Sequence, residues 1–238
     1  MKITLAQTSP KLNRTNLEDV ISIVHSVKNS SDLIVFPELS LSGYMLQDKL
    51  YEDAYTEEEF QELAALSKEI DIVVGAAIND NKLFRNTALY FSDGKLHSKH
   101  IKVHLPNYGM FEEARYYEGG DKFEAFEING KKVSMLICED VWHENVHKEI
   151  ISLKPDIIIA LVASPARGFY DNGLVIEDKW YKIIKELSSE TASKLIFVNR
   201  VGFEDGLGFW GGSCIVDQGE IIAQLPKFKE IIETYEVK

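Results

Sequence analysis

The sequence predicts a layered α/β protein with two mixed sheets between helical layers, and three observations lead there. Short apolar runs alternate with amphipathic segments, as in Ile3-Thr-Leu-Ala6, Leu17 to Val27 and Asp32-Leu-Ile-Val-Phe36, which is a βαβ rhythm. Hairpin-like pairs interrupt it, so parallel and antiparallel neighbours must share a sheet. The strand-like runs are continuously apolar and therefore buried on both faces, whereas the helix-like segments are apolar on one side only.

The elements follow in order. Helix-like sequence from Thr56 to Ile70 leads into the apolar run Ile72 to Ile78. Asn86 to Phe91 and Lys95 to His100 read as a hairpin turning at Ser92-Asp-Gly94. Phe123 to Ile128 turns at Asn129-Gly130 into Val133-Ser-Met-Leu-Ile-Cys138, and a helix is expected over Val141 to Ile150. Asp156 to Val162, a long helix over Glu177 to Ala192 and Lys194 to Asn199 complete the pattern. Arg200 to Gly212 reads as a Gly-rich loop supporting a pocket, since its glycines follow neither the GxGxxG order nor a Walker pattern. No repeat or Pro/Gly/Ser-rich linker divides the chain, so residues 1–238 are expected to form a single domain.

Composition narrows the function classes. With 45% hydrophobic and 27% charged residues the chain sits near globular averages. A net charge of −12, with no stripe of Lys and Arg, argues against a nucleic-acid partner. The acidic run Glu57-Glu-Glu59 fits a helix's first turn or exposed face. No signal-peptide pattern opens the sequence and no run of about 18 apolar residues occurs, so a cytoplasmic protein without membrane partners is expected. Cys138 and Cys214 are then expected to be thiols, with Cys214 a buried structural one.

Cys138 ends an apolar strand and opens helix-like sequence, where a helix N-terminus would favour the thiolate. His143 and His147 lie at helical spacing after it and give no convincing Cys-His pair. Glu38, after Leu33 to Pro37, is positioned to exchange the thiol proton, and Lys102 to stabilise a tetrahedral oxyanion. Glu112 or Glu113 would keep the lysine charged or orient water. Singly, each has a plain structural explanation; together they point to covalent acyl transfer. Trp142, Phe111, Tyr108 and Trp210 are aromatic residues that would line a narrow pocket or the core.

Phe36-Pro-Glu-Leu-Ser-Leu-Ser-Gly-Tyr44, Lys102-Val-His-Leu-Pro-Asn-Tyr108 and Ile137-Cys-Glu-Asp-Val-Trp142 resemble the glutamate, lysine and cysteine motifs of the nitrilase superfamily of carbon-nitrogen hydrolases. That resemblance implies an αββα sandwich that dimerises or forms higher homo-oligomers, with Glu38 as general base, Lys102 as electrostatic stabiliser and Cys138 as nucleophile. Leu105 to Tyr117, Cys138 to Trp142 and Phe197 to Ser213 are similar to the glutaminase domain of glutamine-dependent NAD synthetases. The likeness implies Glu113 as an additional active-site glutamate, Tyr108 as an aromatic wall of the amide pocket, the Glu139 amide as part of an oxyanion hole, and Ser164 as substrate-binding. No cofactor and no metal is implied. The Ser-Gly-Gly-x-Asp-Ser loop of the ATP-using domain is missing from the 238 residues, which suggests a detached glutaminase with a possible separate synthetase partner. For the substrate's carboxylate, Ala166 to Gly173 offers only Arg167, so glutamine and other small linear amides both stand open. The expected activity is hydrolysis of a small linear amide through a thioester; N-carbamoyl amide hydrolysis and a non-catalytic amide-binding role are the alternatives.

Overall fold

The computed structural model describes residues 1–237. Strands β1 (Lys2–Gln7), β2 (Leu33–Val35), β3 (Asp71–Asp80), β4 (Leu83–Ser92) and β5 (Lys95–Ile101) form most of the first sheet. The second contains β6 (Ala125–Ile128), β7 (Lys131–Ile137), β8 (Ile157–Val162), β11 (Lys194–Asn199), β14 (Cys214–Asp217) and β15 (Glu220–Gln224). Two small hairpins intervene, β9 (Phe169–Tyr170) with β10 (Gly173–Leu174), and β12 (Val201–Glu204) with β13 (Leu207–Trp210). The chain returns to the first sheet as β16 (Ile231–Glu236) against β1. The helices are α1 (Asn16–Val27), α2 (Leu50–Asp53), α3 (Gln61–Leu66), α4 (Glu113–Tyr116), α5 (Glu144–Leu153) and α6 (Val175–Thr191).

Both sheets share one plan: three parallel strands in the middle, β1-β2-β3 or β7-β8-β11, flanked by antiparallel edges. Alternation along the strands assigns each face. In β8, Ile157, Ile159 and Leu161 enter the core between the sheets, while Ile158, Ala160 and Val162 face α5 and α6. In the first sheet Ile3, Leu5, Val35 and Val73 point to the same inter-sheet core, and Ile34, Ile72 and Val74 pack with Val20, Val24 and Leu63 of α1 and α3. The result is the αββα order expected from the sequence. Among the described residues no helix is long and apolar enough to cross a membrane.

Three local expectations are corrected. The helix expected over Val141 to Ile150 divides into a 3-10 turn, Cys138–Trp142, and α5, with His143 extended between them. The segment from Thr56 to Ile70 likewise splits at Phe60, which leaves helical geometry, into a 3-10 turn, Glu57–Phe60, and the short α3, which ends before Ser67. The Gly-rich stretch is a hairpin, β12–β13, turning at Asp205 and Gly206, both with positive φ as a tight two-residue turn requires. It still abuts the pocket, because the Ala166 N–H donates to the Gly208 carbonyl.

Candidate active site

The parallel strands of both sheets end on one side, and the candidate residues lie just beyond those ends, where ligands bind in open α/β sheets. Glu38 follows β2 in a turn whose next residue, Leu39, has φ 49°. Gly75 of β3 makes that turn possible: a Cβ there would lie 2.4 Å from the Leu39 nitrogen and 2.8 Å from the Pro37 carbonyl. The Gly75 amide and carbonyl instead bond Ser40 Oγ and the Leu41 N–H.

Glu38 and Lys102 are fully buried. Glu38 Oε1 accepts from Lys102 Nζ at 2.7 Å and Asn86 Nδ2 at 2.8 Å, while Oε2 accepts the Ala163 N–H at 2.9 Å. Lys102 Nζ also donates to Glu113 Oε1 at 2.8 Å. A lysine between two carboxylates keeps its proton: burial opposes the charge, but Glu113 and Glu38 together hold the ammonium pKa well above its ordinary value. The same crowding acts in reverse on Glu113, whose carboxyl is pushed up to about 7 by burial and the nearby Glu38, against the pull of Lys102 and a hydrogen bond from the Tyr44 hydroxyl. Of the two adjacent glutamates, Glu113 turns inward while Glu112 is exposed and pairs with Arg115. The residue pattern alone left that choice open, and the resemblance implied Glu113.

Cys138 occupies the sharp turn between β7 and the 3-10 segment with φ 43°, a left-handed conformation that costs a non-glycine residue on the order of 1 kcal/mol or more. It is half-buried and lines the cavity. Contrary to the expected thiolate, burial pushes the Cys138 thiol well up and the Glu38 charge adds to this, with Lys102 and the Ala163 amide only partly opposing. The expected helix begins only at Glu144, beyond a 3-10 turn and the extended His143, so its N-terminus is displaced from the cysteine.

Asp140, not assigned a role by sequence reasoning, joins the lysine and cysteine segments. Its Oδ1 accepts the N–H groups of Val103 and His104 at 3.1 and 2.9 Å; its Oδ2 accepts the Ile137 N–H at 3.1 Å and lies 2.9 Å from His100 Nε2. Despite burial, these partners hold its carboxyl well below the usual range. The nearness of Asp140 to Cys138 was visible; its four partners, 36 to 40 residues upstream or at the end of β7, were not.

A cavity of about 400 Å³ opens over Cys138. Tyr44, Tyr108, Phe111 and Trp142 supply aromatic walls, and Glu139 and Ser164 also line it. Tyr108 donates from its hydroxyl to Glu139 Oε2 at 2.8 Å. Ser164 Oγ is already taken by Trp180 Nε1 at 2.9 Å, and the Ser164 amide by Asn199 Oδ1. Trp210 is instead fully buried in the core beneath α6, among Phe197 and Tyr181. Arg167 reaches the cavity, its guanidinium 5.0 Å from the Phe111 ring centroid, and Lys179 of α6 joins it. This second cation corrects the expectation that Arg167 stands alone. A larger cleft of about 680 Å³ lies at the opposite ends of the parallel strands, away from these groups.

The carbon-nitrogen hydrolase family model matches residues 2–238. Glutamine-dependent NAD(+) synthetase of Acinetobacter baylyi is 35% identical over 96% of the chain, and that of Thermotoga maritima 32% identical over all of it; the chain spans 42% of each relative. Among solved structures, glutamine-dependent NAD+ synthetase from Acinetobacter baumannii superposes with a TM-score of 0.86 at 32% identity, covering 98% of this chain and 44% of that one. A carbon-nitrogen hydrolase from Helicobacter pylori gives 0.87 at 23% identity, with 98% and 87% coverage, a likeness of fold. With a match that spans both sheets, the chain belongs to the carbon-nitrogen hydrolase family.

Proposed function

We propose that this chain hydrolyses the C–N bond of a small linear amide through a thioester on Cys138. The observation that carries this reading is the buried Glu38–Lys102–Glu113 chain of hydrogen bonds beside a cysteine held in a left-handed turn at the cavity wall. Glu38 takes the thiol proton as sulfur attacks the carbonyl carbon, so no free thiolate accumulates. The oxyanion forms beside the Lys102 ammonium, with the Glu139 amide in the first turn after the nucleophile as a second donor. Protonated Glu38 then gives its proton to the leaving nitrogen and the C–N bond breaks, releasing ammonia or an amine. Water, deprotonated by Glu38, attacks the thioester; collapse expels the sulfur, which regains the proton, and the acid leaves. Glu113 keeps Lys102 charged and in place.

The rim supports a narrower reading. Arg167 and Lys179 offer two cations to a carboxylate and Glu139 one anion to an ammonium, a pattern suited to the amide of an acidic amino acid. The relatives are named as glutamine-dependent synthetases, and their likeness to this chain favours glutamine, with ammonia passing to a separate acceptor enzyme. A test is ammonia release from glutamine, short neutral amides and an N-carbamoyl amino acid by the wild type, Arg167→Ala and Lys179→Ala. Loss of a charged pairing predicts KM for glutamine raised about 10- to 100-fold, with neutral amides unaffected. Equal effects on charged and neutral amides would refute the carboxylate subsite, and no turnover of any amide, alone or with an acceptor synthetase, would refute the hydrolase reading.

A further inference from the structure

We infer that the buried Arg200–Glu204 pair is a positioning device for the reaction, acting on Glu113 through Tyr44. This rests on the amidohydrolase reading but concerns residues outside the cavity lining. Arg200 is fully buried and Glu204 nearly so. Arg200 Nη1 donates to Glu204 Oε2 at 2.8 Å and Nη2 to the Pro10 carbonyl at 2.8 Å, with the guanidinium 4.2 Å above the Phe209 ring centroid. The other carboxylate oxygen, Oε1, accepts two consecutive backbone amides, Tyr44 at 2.9 Å and Met45 at 2.7 Å.

Those amides belong to the loop that carries the Tyr44 side chain over the site. The Tyr44 ring stands edge-on to Phe209 at 6.3 Å and to Phe111 at 6.4 Å, and its hydroxyl donates to Glu113 Oε1, the oxygen that also accepts from Lys102. A continuous path of direct contacts therefore runs from Arg200 through Glu204, the Tyr44 backbone and the Tyr44 hydroxyl to the lysine's partner. A buried ion pair is expensive to desolvate and is often no more stabilising than apolar residues of the same volume. Its placement here has a second effect, fixing the Tyr44 and Met45 backbone just beyond the bonds that hold Leu41, Ser42 and Gly43. The Arg200 N–H also donates to the Val162 carbonyl, so the same residue is tied to the end of β8, one residue before the amide that holds Glu38.

The groups facing the Glu113 carboxyl are Lys102, Tyr44, Glu38, Tyr117 and Cys138. Removing the Tyr44 hydroxyl deletes a bond that favours the ionised form, so Glu113 protonates at higher pH and the acid limb of kcat moves up. The experiment compares pH profiles of kcat and KM for Tyr44→Phe, Glu204→Ala and the double variant, with Glu204→Gln as the conservative control. Expected are a fall in kcat of about tenfold for Glu204→Ala with KM changed less than about twofold, an upward shift of the acid limb matching Tyr44→Phe, and no further shift in the double variant. Glu204→Gln, which keeps one oxygen for the two amides, returns the limb most of the way. An unmoved acid limb in folded Glu204→Ala, or shifts that add in the double variant, would overturn the inference. Should Glu204→Ala not fold, Arg200→Lys decides: the inference requires its acid limb to move upward, with Arg200→Lys/Tyr44→Phe shifted no further than Tyr44→Phe alone, and an unmoved limb or additive shifts overturn it. If no variant turns over an amide that the wild type also leaves intact, the function reading fails instead.

Discussion

The two ends of the paired sheets hold clefts of contrasting kinds. At the amino ends of the parallel strands the cleft is larger, about 680 Å³, and its buried acid, Asp71, has its charge occupied by the Tyr90 and Ser92 hydroxyls. At the carboxyl ends the cavity is about 400 Å³, yet behind it a fully buried lysine is pinned between two carboxylates next to a cysteine in a left-handed turn. Volume does not mark the site; convergent, mutually perturbing charge does. The strand ends explain the asymmetry: β2, β7 and β8 lead at their carboxyl ends into Glu38, Cys138 and the Ala163 amide, while the other end collects turns such as Asp93-Gly94 and Asn129-Gly130.

Substitutions at the two ends should separate cleanly. The largest effect is expected for Cys138→Ala, a loss of at least about 10⁴-fold in kcat for any accepted amide with the fold retained, checked by ammonia release and thermal unfolding. Relief of the positive φ is not offered by alanine, so no large gain in stability is expected there. Asp140→Asn comes next. It places an amide group against donors, and unfolding free energy should fall by about 3 kcal/mol in urea titration, with activity reduced as the lysine segment loosens. The sign of the pH effect follows from its depressed carboxyl: Asp140 contributes stability above the unfolded pKa of about 4 and loses it as pH falls toward the lower folded value, so the variant should unfold less steeply in acid. The smallest effect on turnover belongs to Asp71→Asn, with stability down by about 1 kcal/mol and kcat and KM within twofold of wild type. A tenfold loss of kcat in that variant would erase the distinction between the two ends.

Much of this was legible in the sequence where chemistry and periodicity coincide in short segments. The continuous runs Ile72 to Ile78 and Asp156 to Val162 specify buried strands, and Glu38 and Cys138 each follow such a run closely, while Lys102 follows the more polar strand of a hairpin. What escaped reading depends on partners distant in the chain. Asn86 reads as an ordinary polar residue in β4, yet its amide holds Glu38, 48 residues away. Lys179 reads as the solvated side of an amphipathic helix, and only the packing of α6 beside the cavity brings it to the rim. The hairpin β12–β13 was signalled by Asp205-Gly206 but obscured by glycines on either side, which weaken strand propensity. The favoured thiolate was misjudged because burial and the Glu38 charge, which depend on packing across the two sheets, push the thiol up, and because the following helix starts only at Glu144.

The central claim is a thioester at Cys138, and the direct measurement is intact-mass and peptide analysis of wild-type protein quenched in acid during turnover of glutamine and of a short neutral amide, with and without a hydroxylamine chase. The account predicts a mass gain equal to the substrate less ammonia, located on the peptide containing Cys138, removed by hydroxylamine as the hydroxamate and missing from Cys138→Ala. Sustained turnover by the Cys138→Ala protein, or an adduct carried on Cys214 instead, would contradict it.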